Sequence, residues 1–153
     1  MKRFRFSLRP VAVLRAHREM RAREAFGASV SAYVKSEEEL AGVRRRVAQF
    51  EAALFAGRRE RFSAAEEAHT LAGYRRECAA EVEAERATNA ARDAMQKRRV
   101  EYLEAHRKLE VVHRLEAKAK TAHQLAVNRE EQADYDDFAG RQASRRKLSS
   151  TAA

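Results

Sequence analysis

The chain has 153 residues, of which 36% are charged, with a formal net charge of +9 and a mean hydropathy of −0.71. Its 44% hydrophobic content is largely alanine, tryptophan and isoleucine are absent, and Leu, Val and Phe are too sparse to fill a thick globular core. No stretch approaches the ~20 apolar residues of a membrane span; the composition fits a long helix or coiled coil, and the basic excess invites an acidic partner such as nucleic acid, anionic lipid or an acidic protein surface.

Residues 1–10 read as an N-terminal extension. It is basic, through Lys2, Arg3, Arg5 and Arg9, and no hydrophobic signal core follows it, so secretion is not expected. Pro10, the only proline, suits the first turn of a helix, where its missing N–H costs nothing. The first helix is predicted from Val11 to about Ala56, with Gly27 and Gly42 tolerated inside it. Gly57 has the freedom to close the helix in a left-handed conformation, and Ser63-Ala64-Ala65-Glu66 reads as a capping box that opens the next. A turn is thus expected over 57–63. The second helix is predicted from Ala64 to Gly140, so that an antiparallel hairpin occupies 11–140. The segment 141–153, "RQASRRKLSSTAA", reads as a basic, flexible tail.

Both helices carry heptad spacing. Leu40, Val43, Val47, Phe50 and Leu54 alternate steps of three and four, as do Ala80, Ala84, Ala87, Ala91 and Ala94. The phase resumes at Ala105, Val112, Leu115, Ala119, Ala122 and Ala126, a coiled-coil pattern. Small residues share one phase of the first helix: Ala22, Ala25, Ser29, Ala32 and Ser36. A turn near residue 60 pairs Ala25 with Ala94 and Ala32 with Thr88, so small faces small. The fold expected is all-α: a long antiparallel two-helix coiled coil whose second helix is the longer. At about 1.5 Å per residue the two helices span roughly 69 and 115 Å. Beyond about residue 110 the second is left without a partner, although it carries Val111, Val112, Leu115, Leu125, Val127 and Phe138. An apolar stripe of that kind asks for a receptor.

Chemistry is sparse. The chain has no HExxH, GxxxxGK[ST], GxGxxG or CxxC. His106 and His113 share a face but stand roughly 10 Å apart along a helix, too far for one metal ion. His17, His69 and His123 are isolated. Cys78 stands alone, which rules out an internal disulfide and suits a reducing cytosol; it joins Leu71, Tyr74 and Val82 on one stripe, as a packed side chain does. A two-helix structure offers no water-excluding site, so no catalytic residue, metal or cofactor is expected and an enzyme is not. Basic runs at Arg44-Arg45-Arg46, Arg58-Arg59-Glu60-Arg61, Gln96-Lys97-Arg98-Arg99 and Arg145-Arg146-Lys147 are interleaved with 23 acids. That pattern is a solvated coiled-coil surface, laced by i,i+4 pairs such as Glu104–Lys108 and Glu116–Lys120, more than a nucleic-acid face. A basic module binding nucleic acid or anionic membrane is the alternative reading.

The two ends carry a resemblance. "FRFSLRPVAVLRAHREMRAREAF" is similar to the opening of the flagellar FliJ family: an aromatic-x-aromatic, then Leu8, then Val13-Leu14-Arg15 and a charged helix. "REEQADYDDFAGR" resembles that family's Glu-Gln-Lys-x-x-Asp-Glu signature, with Glu131, Gln132, Asp136 and Asp137 at the matching places. Ala133 replaces the lysine, and Asp137 replaces a glutamate. Injectisome proteins of the YscO type are the relatives most easily confused with it.

The resemblance implies a small cytoplasmic component of the flagellar type III export apparatus, built like the central stalk of a rotary ATPase. Its partners would be the hexameric export ATPase, the cytoplasmic part of the export gate and the export chaperones, at the cytoplasmic face of the inner membrane, where it would be a peripheral protein in flagellum biogenesis and protein export. For the ATPase contact the residues expected are Glu130, Glu131, Gln132, Asp134, Tyr135, Asp136, Asp137 and Phe138. For the gate contact they are Leu40, Val43, Val47, Phe50, Leu71, Tyr74 and Cys78. Five carboxylates within residues 130–137 oppose the helix dipole near a C-terminus, so a structural motive alone would not choose them.

Overall fold

The computed structural model describes residues 3–60 and 63–151, with side chains described for 3–60 and 63–143. Arg61 and Phe62 of the expected turn, and the side chains of the basic tail from Ser144, lie outside the described residues. The described residues form two helices: α1, Arg9–Glu60, and α2, Ala64–Thr151, of 52 and 88 residues. They pack against each other, no strand occurs among the described residues, and the second helix is the longer.

Local chemistry sets the helix ends. The Leu8 carbonyl accepts the Ala12 N–H at 3.0 Å, which makes Leu8 the N-cap of α1. Pro10 falls in its first turn, where N–H groups have no partner within the helix. At the other end Gly57 does not close the helix. It is buried inside α1, which runs on to Glu60, and Arg58 and Arg59 lie in the last turn, where positive charge suits the dipole. The capping box forms as expected: Ser63 N–H donates to Glu66 Oε2 at 2.9 Å and Glu66 N–H donates to Ser63 Oγ at 3.3 Å. Hydrogen bonds from the Ser63 hydroxyl and then from its backbone N–H hold the Glu66 carboxyl below its ordinary range. At the far end α2 continues through Gly140 to Thr151, so no helix end marks residue 140.

The chain forms two compact units. In the unit Arg18–His106, covered positions of α1 recur at strict steps of three and four: Glu19, Ala22, Phe26, Ser29, Tyr33, Ser36, Leu40, Val43, Val47, Phe50 and Leu54. Val43 and Val47 are buried. Ala32, expected to face Thr88, is exposed. Thr88 instead donates its hydroxyl to the Ser36 carbonyl at 3.1 Å, so the register is displaced by one helical turn. The shift follows from helix α1 running past Gly57, which moves the turn toward Ser63. Phe26 stacks on Tyr102 with ring centroids 6.0 Å apart, and Glu19 lies 3.5 Å from His106 Nδ1.

The other unit joins the first 17 residues to Arg107 and beyond. Arg15 Nη1 donates to the Lys108 carbonyl at 2.7 Å, and Phe4 packs on His123 with centroids 5.5 Å apart. Val112 is the most buried side chain described, at 2% exposure. The expectation of an unpartnered helix from residue 110 is therefore corrected. Covered positions continue at Leu109, Val112, Glu116, Ala119, His123 and Val127, and only from Asn128 is every side chain to Ala143 exposed. The N-terminal extension and the first turns of α1 supply the cover. Leu115, Ala122 and Ala126 fall outside the seam and are exposed, whereas Glu116 and His123 fall inside it. Neither Glu104–Lys108 nor Glu116–Lys120 forms an ion pair among the described residues; the intrahelical pairs are Glu83–Arg86, Arg98–Glu101, Glu110–Arg114 and Asp137–Arg141.

Candidate partner-binding surfaces

Steps of three and four carry the seam of α2 from Val127 to Glu130, Asp134, Asp137 and Phe138. Up to Val127 that face is covered; beyond it the same face is bare and acidic. The eight residues expected to contact an ATPase therefore lie together on one exposed stretch of helix. Tyr135 and Phe138 are 71% and 65% exposed, a high value for aromatic side chains with no structural partner. The carboxylates are weakly engaged. Gln132 donates to Asp136 at 3.2 Å, Arg141 approaches Asp137 at 4.0 Å, and Glu130, Glu131 and Asp134 make no ion pair among the described residues. Acceptor groups so free are ready for cationic donors.

The residues expected to meet the gate are brought together, but as packing. Val43 and Val47 are buried, and Leu40, Phe50, Leu71, Tyr74 and Cys78 are half-buried. Phe50 lies over Gly73, and the Tyr74 hydroxyl donates to Glu51 at 3.0 Å. Cys78 first, and Glu51 second, push the Tyr74 phenol up to about 12, so it stays protonated and bonded. What faces solvent near the turn is Phe55, 73% exposed, which lies one step off the heptad and escaped the sequence reading for that reason.

Ion pairs between the helices take up part of the basic runs. Arg44 bonds Glu81 at 3.0 Å and also Glu85, which raise its pKa in that order. Arg46 bonds Glu77 at 2.9 Å and Arg58 bonds Glu67 at 3.0 Å. These arginines fasten α1 to α2 instead of forming an open cationic face.

A further surface was not anticipated from the sequence. Arg3, Phe4, Arg5, Phe6, Ser7, Arg9, Pro10, Val13 and Glu116 line a cavity of about 1090 Å³. The alternation of arginine with phenylalanine over residues 3–6 is its signal: one set of side chains turns to α2 while the other turns outward. No group of three or more His, Cys, Asp or Glu that could hold a metal ion occurs among the described residues. No described helix is long and apolar enough to cross a membrane.

In comparison with protein families the chain matches the model described as Flagellar FliJ protein over residues 4–148. Searches of curated proteins and of solved structures each return no match.

Proposed function

Since the chain belongs to the flagellar FliJ family, a family of flagellar type III export components, we propose that it serves as a stalk-like coiled coil that seats the exposed 130–138 stretch of α2 in the hexameric export ATPase. The observation that carries this reading is the bare acidic face from Glu130 to Phe138, which continues a seam covered up to Val127. An unbroken helix of this kind presents carboxylates and two aromatic anchors to several subunits of a ring at once, and basic groups lining the ring would complete them. The role needs no active site in the chain itself.

The gate contact is assigned to the region near the turn. Because Leu40, Val43, Val47, Phe50, Leu71, Tyr74 and Cys78 hold the hairpin together, their part is to shape the surface that the gate meets. Help in chaperone recycling, and a peripheral position at the cytoplasmic face of the inner membrane, complete the proposed role. The alternative of a basic module for nucleic acid or anionic membrane is less well supported, because Arg44, Arg46 and Arg58 are spent on ion pairs within the hairpin.

The test is a pull-down with the export ATPase and with the cytoplasmic part of the gate, using the full chain and the double variant Asp136→Lys/Asp137→Lys. Loss of ATPase capture with unchanged helicity by circular dichroism supports the proposal. Undiminished capture refutes it.

A further inference from the structure

The cavity at the start of the chain and the 130–138 stretch of α2 have opposite chemistry. Arg3, Arg5 and Arg9 line the cavity, and none of the three guanidinium groups makes a hydrogen bond or ion pair among the described residues. Glu116 is the sole acid in the lining and is equally unpaired. Phe4, Phe6, Pro10 and Val13 add an apolar floor. At about 1090 Å³ the space holds several side chains of a peptide, far more than a single anion. Residues 130–138 offer the complement: five carboxylates with Tyr135 and Phe138, all exposed. Three unopposed guanidinium groups around an apolar floor, and carboxylates alternating with aromatic rings, are matched surfaces.

A chain cannot seat its own segment. Glu116 and Asp134 belong to one continuous helix, about five turns or roughly 27 Å apart, and bringing the segment back would break α2. We propose that a second copy of the chain is the occupant: the 130–138 segment of one protomer lies in the arginine-rimmed cavity of its partner, and the partner's segment lies in the first. The cavity wall and the acidic segment stand on either side of Val127 along the same helix. Two copies crossing antiparallel near Val127 therefore make both contacts together, as an isologous two-fold interface requires. This pairing does not rest on the ATPase reading, although it occupies the same residues and would hold them covered until a partner competes.

Sedimentation equilibrium of the full chain at low salt, ~50 mM, tests it. The expected result is a monomer–dimer equilibrium that weakens as salt rises. Asp134→Lys/Asp137→Lys and Arg5→Glu/Arg9→Glu should each weaken self-association by about tenfold or more, because both halves of the interface become like-charged. An equimolar mixture of the two variants should dimerise again, since each then meets an opposite charge; a variant that merely unfolds fails this rescue. A monomer at every concentration, or a dimer indifferent to both charge reversals, overturns the proposal. So does flotation with phosphatidylglycerol vesicles that is abolished by the arginine variant in a chain that stays monomeric, because lipid would then be the occupant.

Discussion

The ring of Phe50 occupies the space in which Gly73 lacks a side chain: a Cβ on Gly73 would come within 2.6 Å of Phe50 Cε1 and 2.8 Å of Cζ. At this contact one helix contributes a ring and the other contributes no side chain. Gly73→Ala forces the ring aside, at a cost of about 1–3 kcal/mol, and recovers about 1 kcal/mol of helix propensity. A net loss of about 1 kcal/mol in urea unfolding is the expected outcome. In a Phe50→Ala background the clash is gone, so the same substitution should stabilise. That change of sign distinguishes contact from propensity.

Val112 and Leu115 are three residues apart and differ in exposure, 2% against 45%. Val112→Ala should cost about 1.5–3 kcal/mol. Leu115→Ala should fall within about 0.5 kcal/mol of the parent. Denaturant midpoints of the two single variants decide it; equal losses would mean that Leu115 belongs to the seam.

The Ser63–Glu66 box carries a pH signature. Glu66 in the folded chain is held below its ordinary 4.5, so its ionised form adds stability above that value and loses it as pH falls through the lowered one. Glu66→Gln keeps an acceptor for the Ser63 N–H but removes the charge. Its melting temperature should lie below the parent's at neutral pH and converge with it in acid. A gap that persists in acid would point to geometry in place of charge.

Tyr135 and Phe138 are exposed without structural duty. Tyr135→Ala and Phe138→Ala should leave the unfolding midpoint unchanged within about 0.5 kcal/mol. Each should weaken ATPase capture by about tenfold, the ordinary worth of an aromatic anchor. Titration calorimetry with the ATPase reads both effects.

The two helices, the capping box and the exposed acidic stretch of α2 were legible because each rests on local chemistry: breakers, a Ser-x-x-Glu and a charge run. The register was not. Glu19, Glu116 and His123 occupy the seam, whereas Ala32 and Leu115 are exposed; a reader following small and apolar residues finds Ser29, Ser36 and Thr88 but steps past the charged and imidazole positions. Between two helices few positions are deeply enclosed, so a glutamate or histidine at the seam keeps its polar end in water while its stem packs. The apolar signal is accordingly weak, and Gly57 read as a stop although α1 runs through it to Glu60. The cover over α2 as far as Val127 was hidden for another reason. It comes from a short non-helical run, Arg3 to Phe6, which has no periodicity to detect.

From Asn128 to Ala143 every side chain of α2 is exposed, and a helical stretch held mainly by its own backbone ladder is close to balance between order and coil in water. Whoever grips this segment must also finance its ordering. Gly140 has open space where a methyl group would go, so Gly140→Ala should strengthen the grip of any receptor by up to about fivefold, from a helix preference of about 1 kcal/mol, without touching it. The backbone of one lone stretch becomes a dial for affinity.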